Sequence, residues 1–312
     1  VYPGEQLANV NGTGPGQVNY QLDGAGHNDT YLNLNLPFPN PDAIQEFALQ
    51  SDNLSAQFGN AAGGVVNIVT KSGTNDIHGT AFEFLRNGKF NARNFFAPRQ
   101  DSLKRNQFGV SIGGPIKRDR LFFFGTYQGT PVRTAPEGRI AFVPTGAQRK
   151  GDFSTISSQL IDPVTKQPFP GNIIPESRLS PVARYLVGRI PLPDGPGQQV
   201  TFTGGAANSD EHQWMAKFDY NAGKHQLNGR YFFTDFNRPG DFSETNLLVA
   251  AGNVMGVRVQ NVAVSYTFTV TPSLLFNTWF GWNSQTGGQK PNSTFGFPEA
   301  GMKIAAPAER EV

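Results

Sequence analysis

At 312 residues, with 38% hydrophobic residues, 36 Gly, 23 Pro and 26 Phe, the chain is long enough for a sizeable core and favours short strands, turns and long loops over helices. Lys and Arg (26) balance Asp and Glu (24), which leaves no basic stripe for a nucleic-acid partner, and the absence of cysteine excludes disulfide frameworks, thiolate metal sites and cysteine nucleophiles together. No run approaches the roughly 20 apolar residues of a membrane helix, and no basic segment followed by an apolar one opens the chain.

In chain order, "GTGPG" at 12–16 lacks both a full dinucleotide fingerprint and a Lys-Ser/Thr phosphate grip, so it reads as loop. "DGAGHND" at 23–29 sets Asp23 and Asp29 around glycines without the acidic spacing of a calcium loop, and reads as a turn. In "AAGGVVNIVTKSGTN" at 61–75, Val65, Val66, Ile68 and Val69 are β-branched and interrupted only by Asn67, the pattern of a strand buried on both faces. Strands follow at 79–86 (Thr80, Phe82, Phe84), 107–114 (Phe108, Val110, Ile112) and 120–128, where Leu121, Phe123 and Tyr127 compete with Phe122 and Phe124 for the apolar face. "GVSIG" at 109–113 matches a nucleophile elbow, but Ser111 sits inside an alternating strand rather than a strand-to-helix turn, and reads as a small inward-facing residue.

The segment 130–210 is Pro-rich. Within it Ser180 is placed as an N-cap, Pro181 at the first helical position, and Val182, Leu186, Val187 and Ile190 on one stripe, which predicts a short helix ending before Pro191. The clearest period-two strands come next. In 212–220, His212, Trp214, Ala216, Phe218 and Tyr220 oppose Gln213, Met215, Lys217 and Asp219; in 225–235, Leu227, Gly229, Tyr231 and Phe233 oppose Gln226, Asn228 and Arg230. A four-residue loop at 221–224 would set Phe218 opposite Leu227 and Trp214 opposite Tyr231. In 257–270, Val262, Val264, Tyr266, Phe268 and Val270 form the apolar face, and the turn 271–273 would set Val270 against Leu274 and Phe268 against Phe276 of the strand 274–282. The four histidines show no i,i+4 pair and read as polar strand-end residues, and the carboxylates are too scattered to nominate an acid/base pair. The chain is therefore expected to be no enzyme, with no catalytic, cofactor or metal residues.

From residue 79 the connections between these seven strands alternate long and short without exception, which is the asymmetry of an outer-membrane barrel with tight turns at one rim and long loops at the other. Asn228, Ser265, Thr267 and Thr269, with Lys217, Asp219 and Arg230, suit a wet lumen, and Trp214, Tyr220, Phe233 and Trp282 suit aromatic girdles. Alternation alone also fits a soluble or cell-surface β-sandwich of the carbohydrate-binding type, which remains the rival reading; a hydrolase is more distant.

Residues 42–128, from "DAIQEFALQSDNLSAQFGNAAGGVVNIVTKSGTNDIHGTAFEFLRNGKFNARNFF" to "LKRNQFGVSIGGPIKRDRLFFFGTYQG", resemble the end of the plug and the start of the barrel in TonB-dependent outer-membrane receptors of the Oar-like branch. "GDFS" at 151–154, "IDPVTKQPFPGNIIPESRLSPVARYLV" and the later hairpins continue the similarity more loosely. The resemblance implies a mainly β protein, part of a transmembrane antiparallel barrel of about seven strands in a curved open sheet, with residues 1–75 as the C-terminal part of a plug and 76–312 as the N-terminal part of the barrel. "GGVVNIVTK" would be the last strand of a small mixed plug sheet, with Gly63 and Gly64 permitting close backbone approach, and "VNYQLDG" at 18–24 an earlier one ending at an Asp23-Gly24 turn. The start at Val1-Tyr2-Pro3 and the polar tail after Met302 read as those of a fragment, with its signal sequence and TonB-interacting segment upstream.

By the same resemblance the protein belongs in the bacterial outer membrane, contacts outer-membrane lipid, engages the TonB complex through the absent N-terminal plug region and takes up an unidentified substrate. The segment 130–210 would be a long extracellular loop. Candidate substrate contacts at the plug and lumen are Asn28, Asp29, Tyr31, Lys217, Asp219 and Arg230.

Overall fold

The computed structural model describes residues 8–51, 62–93, 95, 100, 102–134, 138–203, 208–240, 245–249, 253–291, 298, 301 and 302. The chain forms two compact units, one of residues 1–133, 208–238 and 255–289, the other of 134–207, 239–254 and 290–312.

The first unit opens with a small mixed sheet. β1 (Val18–Leu22), β2 (Ala25–Gly26), β3 (Ile44–Gln50) and β4 (Gly64–Thr70) lie in the order β2-β1-β4-β3, with β1 parallel to β4. β1 turns into β2 through Asp23 and Gly24, both at positive φ (49° and 78°), the backbone a two-residue hairpin of the favoured hand requires. β4 is buried on both faces, with Val65, Val66 and Ile68 all inaccessible, as its unbroken β-branched run predicts. A Cβ on Gly64 would stand 2.9 Å from the Gln50 carbonyl oxygen, which is why the strand begins on glycine.

The chain then enters a long antiparallel wall: β5 (His78–Asn87), β6 (Lys104–Lys117) and β7 (Leu121–Gly129), with the two-residue β8 (Val132–Arg133) paired to β6. The second unit contributes β9 (Gly138–Phe142), α1 (Pro181–Val187) and β10 (Gln199–Thr203) before the wall resumes with β11 (Asp210–Ala222), β12 (His225–Arg238), β13 (Asn253–Thr271) and β14 (Leu274–Pro291). The wall order is β14-β13-β12-β11-β7-β6-β5, so the first and seventh wall strands are its edges. Strands of 13 to 19 residues from β11 to β14 exceed the 9–11 or so that cross a bilayer. No helix among the described residues is long and apolar enough to cross one.

The register of one hairpin differs from the sequence expectation. The β11–β12 turn is only Gly223–Lys224: Ala222 pairs with His225, so Phe218 lies opposite Gly229 and Trp214 opposite Phe233. The expected pairing was wrong by two residues, a slip that leaves every side chain on its face, so alternation could not detect it. Trp214 still packs on both Phe233 and Tyr231, at centroid distances of 5.4 and 4.9 Å. The β13–β14 turn is likewise only Pro272–Ser273. There Thr267 bonds Asn277 and Asn261 bonds Asn283 across the strands, partners that agree with the predicted register. Finally, Phe82 and Phe84 of β5 lie opposite Gly109 and Gln107, on the face of Ser111, whereas Phe108, Val110 and Ile112 of β6 point the other way.

In β7 the inward set is Phe122, Phe124, Thr126 and Gln128. Sequence left the phase open because the inward face is not uniformly polar. Phe124, Met215 and Phe232 of the wall join Val18, Tyr20, Leu22, Ala43, Val66 and Ile68 of the small sheet in one buried cluster. Leu36 forms a second with Phe236, Met255, Val257 and Val259. A polar lumen was expected; instead the wall turns apolar where the small sheet packs on it, because that sheet has its own hydrophobic face to bury. The outward face carries Trp214, Phe218, Tyr220, Leu227, Phe276 and Phe280, each at least 39% exposed.

In the second unit, β9 and β10 pair antiparallel and α1 begins at Pro181 after Ser180, as its sequence predicts. Arg149 donates to the carbonyls of Val187, Ile190 and Pro191, satisfying the acceptors that α1 leaves behind. Asn172 donates to Ile156 and Ser158 and accepts from Gln159 and Leu160, tying the neighbouring turns together.

Candidate functional site

The densest polar cluster of the first unit lies where the β1–β2 turn meets β11, β12 and β13. Asp23 is the hub. Its carboxylate accepts from the Thr70 amide (2.8 Å) and the Thr70 hydroxyl (2.7 Å), and pairs with the Arg230 guanidinium at 2.8 Å and the Lys217 ammonium at 3.6 Å. Lys217 donates in turn to the Thr70 carbonyl (3.0 Å). Arg230 donates to the Leu22 carbonyl (3.1 Å) and to Asn261. Asn261 and Asn283 both donate to the Gly26 carbonyl. Lys217, Asp219 and Arg230 are 7%, 7% and 3% exposed, so these charges have left water and depend on one another.

Period-two alternation brings Lys217, Asp219 and Arg230 to the inward face, and Lys217 lies directly opposite Arg230. Two cations face each other there, and Asp23 enters between them from another part of the chain. Asp219 Oδ2 and Arg230 Nη1 have no hydrogen-bond partner among the described residues. A cavity of about 580 Å³ beside the cluster is lined by Asn228, Ser265, Thr267, Asn277 and Trp279 as well as the charges.

The other three candidates lie elsewhere. Asn28 bonds Tyr20, Val18 and Asn33, and Asp29 accepts from the amides of Tyr31, Leu32 and Leu34; both side chains are spent on shaping the 28–35 loop. That fits the turn reading of "DGAGHND". Tyr31 is different: it stands at the loop tip, 92% exposed. The six candidates thus divide into a loop tip and an inner-wall cluster.

The cluster and Leu36 meet the wall at different heights. Leu22 and Asp23 meet β12 at Arg230, while Leu36 meets it at Phe236, about 20 Å farther from the Gly223–Lys224 turn at about 3.3 Å per residue. The small sheet therefore climbs from the rim of short turns toward the rim of long connections.

Sequence reasoning named Lys217, Asp219 and Arg230 but not Asp23, read only as a turn residue. It also took all four histidines for strand-end residues. His78 and His225 begin strands, and His225 bonds Tyr266 and stacks on Phe268. His27 instead is fully buried, with Nε2 against the Pro37 carbonyl at 2.7 Å and its ring between Phe38 and Phe232. Burial foremost, and Arg230 next, push its pKa down to about 3, so the ring stays neutral. Ser111 is 4% exposed within β6 and bonded to Thr80 (2.8 Å), the inward small residue its alternation implied.

Comparison with known proteins agrees with this architecture. Residues 69–310 match the model of the outer membrane beta barrel domain. The TonB-dependent transporter Oar of Myxococcus xanthus is 28% identical over 137 residues, which cover 40% of this chain and 13% of Oar. A variant of the ferric enterobactin receptor PfeA from Pseudomonas aeruginosa superposes with a TM-score of 0.50 at 12% identity, over 89% of this chain and 34% of that receptor. The chain thus spans 13% of the length of Oar and 34% of that of the PfeA variant. A sandwich would need a second sheet over the outward aromatic face, and among the described residues none covers it. The chain belongs to the outer-membrane β-barrel family of the bacterial outer membrane, with a partial likeness to the transporter Oar.

Proposed function

We propose that this chain supplies the gate of an energised uptake receptor. Substrate binds above the plug, at the Tyr31 loop and the upper inner wall, and passes when a pull transmitted through TonB and the plug's N-terminal region displaces β1 and β4. The observation that carries this reading is the Asp23 cluster, in which ion pairs and hydrogen bonds hold the plug to the wall. Such contacts are strong while dry, and water replaces them once a displaced plug admits it, so they suit a joint that must both hold and release.

Accumulation of a labelled substrate by cells carrying the intact receptor tests the reading. The panel is a ferric siderophore, an oligosaccharide and a peptide. At least one member should accumulate, and a protonophore should abolish its accumulation. Accumulation that persists without a proton gradient would reject energised uptake.

The segment 130–210 is then an extracellular loop. Asp194, Gly195, Pro196 and Gly197 are exposed, and a protease site inserted at Gly195 should be cut in whole cells by enzyme added outside. Cleavage that requires a broken outer membrane would invert the strand orientation.

A further inference from the structure

At the long-connection end of the wall, the register places Arg86 of β5 directly opposite Arg105 of β6. Both lie on the inward face, since they continue the alternation of Thr80 and Ser111, which bond each other across the same strand pair. Like charges directly opposite repel; among the described residues neither arginine makes a salt bridge, and the Glu211 carboxylate acts on Arg105 only from beyond contact distance. Arg105 reaches only Gln107, at 3.5 Å, and both guanidinium groups are exposed.

One inward position below, Phe84 lies opposite Gln107, and its ring stands 5.5 Å from that of Phe82. Phe84 is 64% exposed on this face, unlike Phe124 and Phe232, whose rings the plug covers. Gln107 donates to Gln128 (3.1 Å) and continues the polar surface sideways. Two guanidinium groups without a salt bridge thus lie one inward position from the exposed Phe84 ring.

We infer that Arg86, Arg105 and Phe84 form a binding site for a ligand that carries an anionic group on a flat apolar ring. The anion sits between the two guanidinium groups and relieves their repulsion, while the ring lies on Phe84. This deepens the proposed uptake by naming the substrate class at the entry side of the plug, and it rests on that reading for its biological use. Binding itself needs no energy source and is measured separately.

The test uses fluorine NMR line broadening of 4-fluorobenzoate with the purified chain in a non-ionic detergent. 4-Fluorobenzyl alcohol serves as the uncharged ring and acetate as competitor without a ring. Arg86→Gln and Arg105→Gln should each weaken 4-fluorobenzoate binding about three- to five-fold, as expected for exposed charge pairs, without changing the alcohol. Phe84→Leu should weaken both ring probes, and acetate should compete only weakly. Because the arginines repel when the site is empty, Arg86→Gln should also raise the low-salt melting midpoint slightly, which shows that the variant folds. Unchanged 4-fluorobenzoate broadening in both arginine variants, or equal loss of the alcohol, would overturn the site. Neither result depends on whether uptake is energised.

Discussion

Asp23→Ala should detach the small mixed sheet from the wall, costing about 3–5 kcal/mol at that interface, because it leaves Arg230 and Lys217 buried and facing each other without their carboxylate. The loss exceeds that of the ion pairs alone, since Thr70 also loses the acceptor for its amide and hydroxyl. Amide hydrogen exchange in the detergent-solubilised chain reads it directly: protection of β1 and β4 should collapse while that of β11 and β12 persists. Asp23→Asn should lie between, keeping the hydrogen bonds to Thr70 but not the charge. A triple variant, Asp23→Leu with Lys217→Met and Arg230→Met, should restore protection, because an apolar trio of similar volume removes the desolvation cost as well as the attraction. If the triple variant were as loose as Asp23→Ala, the cluster would not be what holds the small sheet.

The wall was legible because its signals are local. Seven strands, their alternation and the long-short rhythm of connections all lie within a few dozen residues of one another, and the outward faces of β11, β12 and β13 follow from counting by two. What escaped depends on partners distant in sequence. Leu22 and Arg230, joined by a hydrogen bond, are 208 positions apart, and nothing near Asp23 announces the cations that await it. His27 looks like a polar turn residue until Phe38 and Phe232 close over it. The apolar inward residues Met215, Phe232 and Phe236 break the polar pattern for the same reason: the small sheet and its loops bring apolar partners that the wall's own sequence cannot display. Lys217 and Arg230 were found because a charge on an otherwise alternating strand is conspicuous, but alternation gives a face and not a partner. The hairpin slip has the same origin, since turn length fixes register and side-chain pattern does not distinguish steps of two.

Arg in place of Val264 should cost about 2–4 kcal/mol of stability in lipid, whereas Arg in place of Thr267, three positions along the same strand, should be nearly neutral. The difference follows from the two faces of β13. Val264 pairs with Gly229, in line with Phe218 and Phe123, on the side away from the small sheet. On β12 that side runs from His225 to Asp235, a span of ten residue steps whose ends are polar, with Leu227, Tyr231 and Phe233 between; at about 3.3 Å per step and a tilt of about 40°, the apolar band is about 25 Å tall, the height expected of a barrel's lipid belt. Asp235 pairs with Arg258 at 2.9 Å on the same face, so charge reappears where the band ends. Val264 lies near mid-band, where an arginine cannot snorkel to water without crossing roughly half that height. Thr267 instead lines the inner cavity of about 580 Å³ beside Asn277, where a guanidinium finds room, amide oxygens and water. Folding titrations from urea into lipid vesicles measure both variants, with Val262→Arg and Phe268→Arg as further outward positions whose cost should fall toward the His225 end. Equal losses at Val264 and Thr267 would mean that the two faces see the same medium, and the aromatic face would then belong to a protein interior instead of the bilayer.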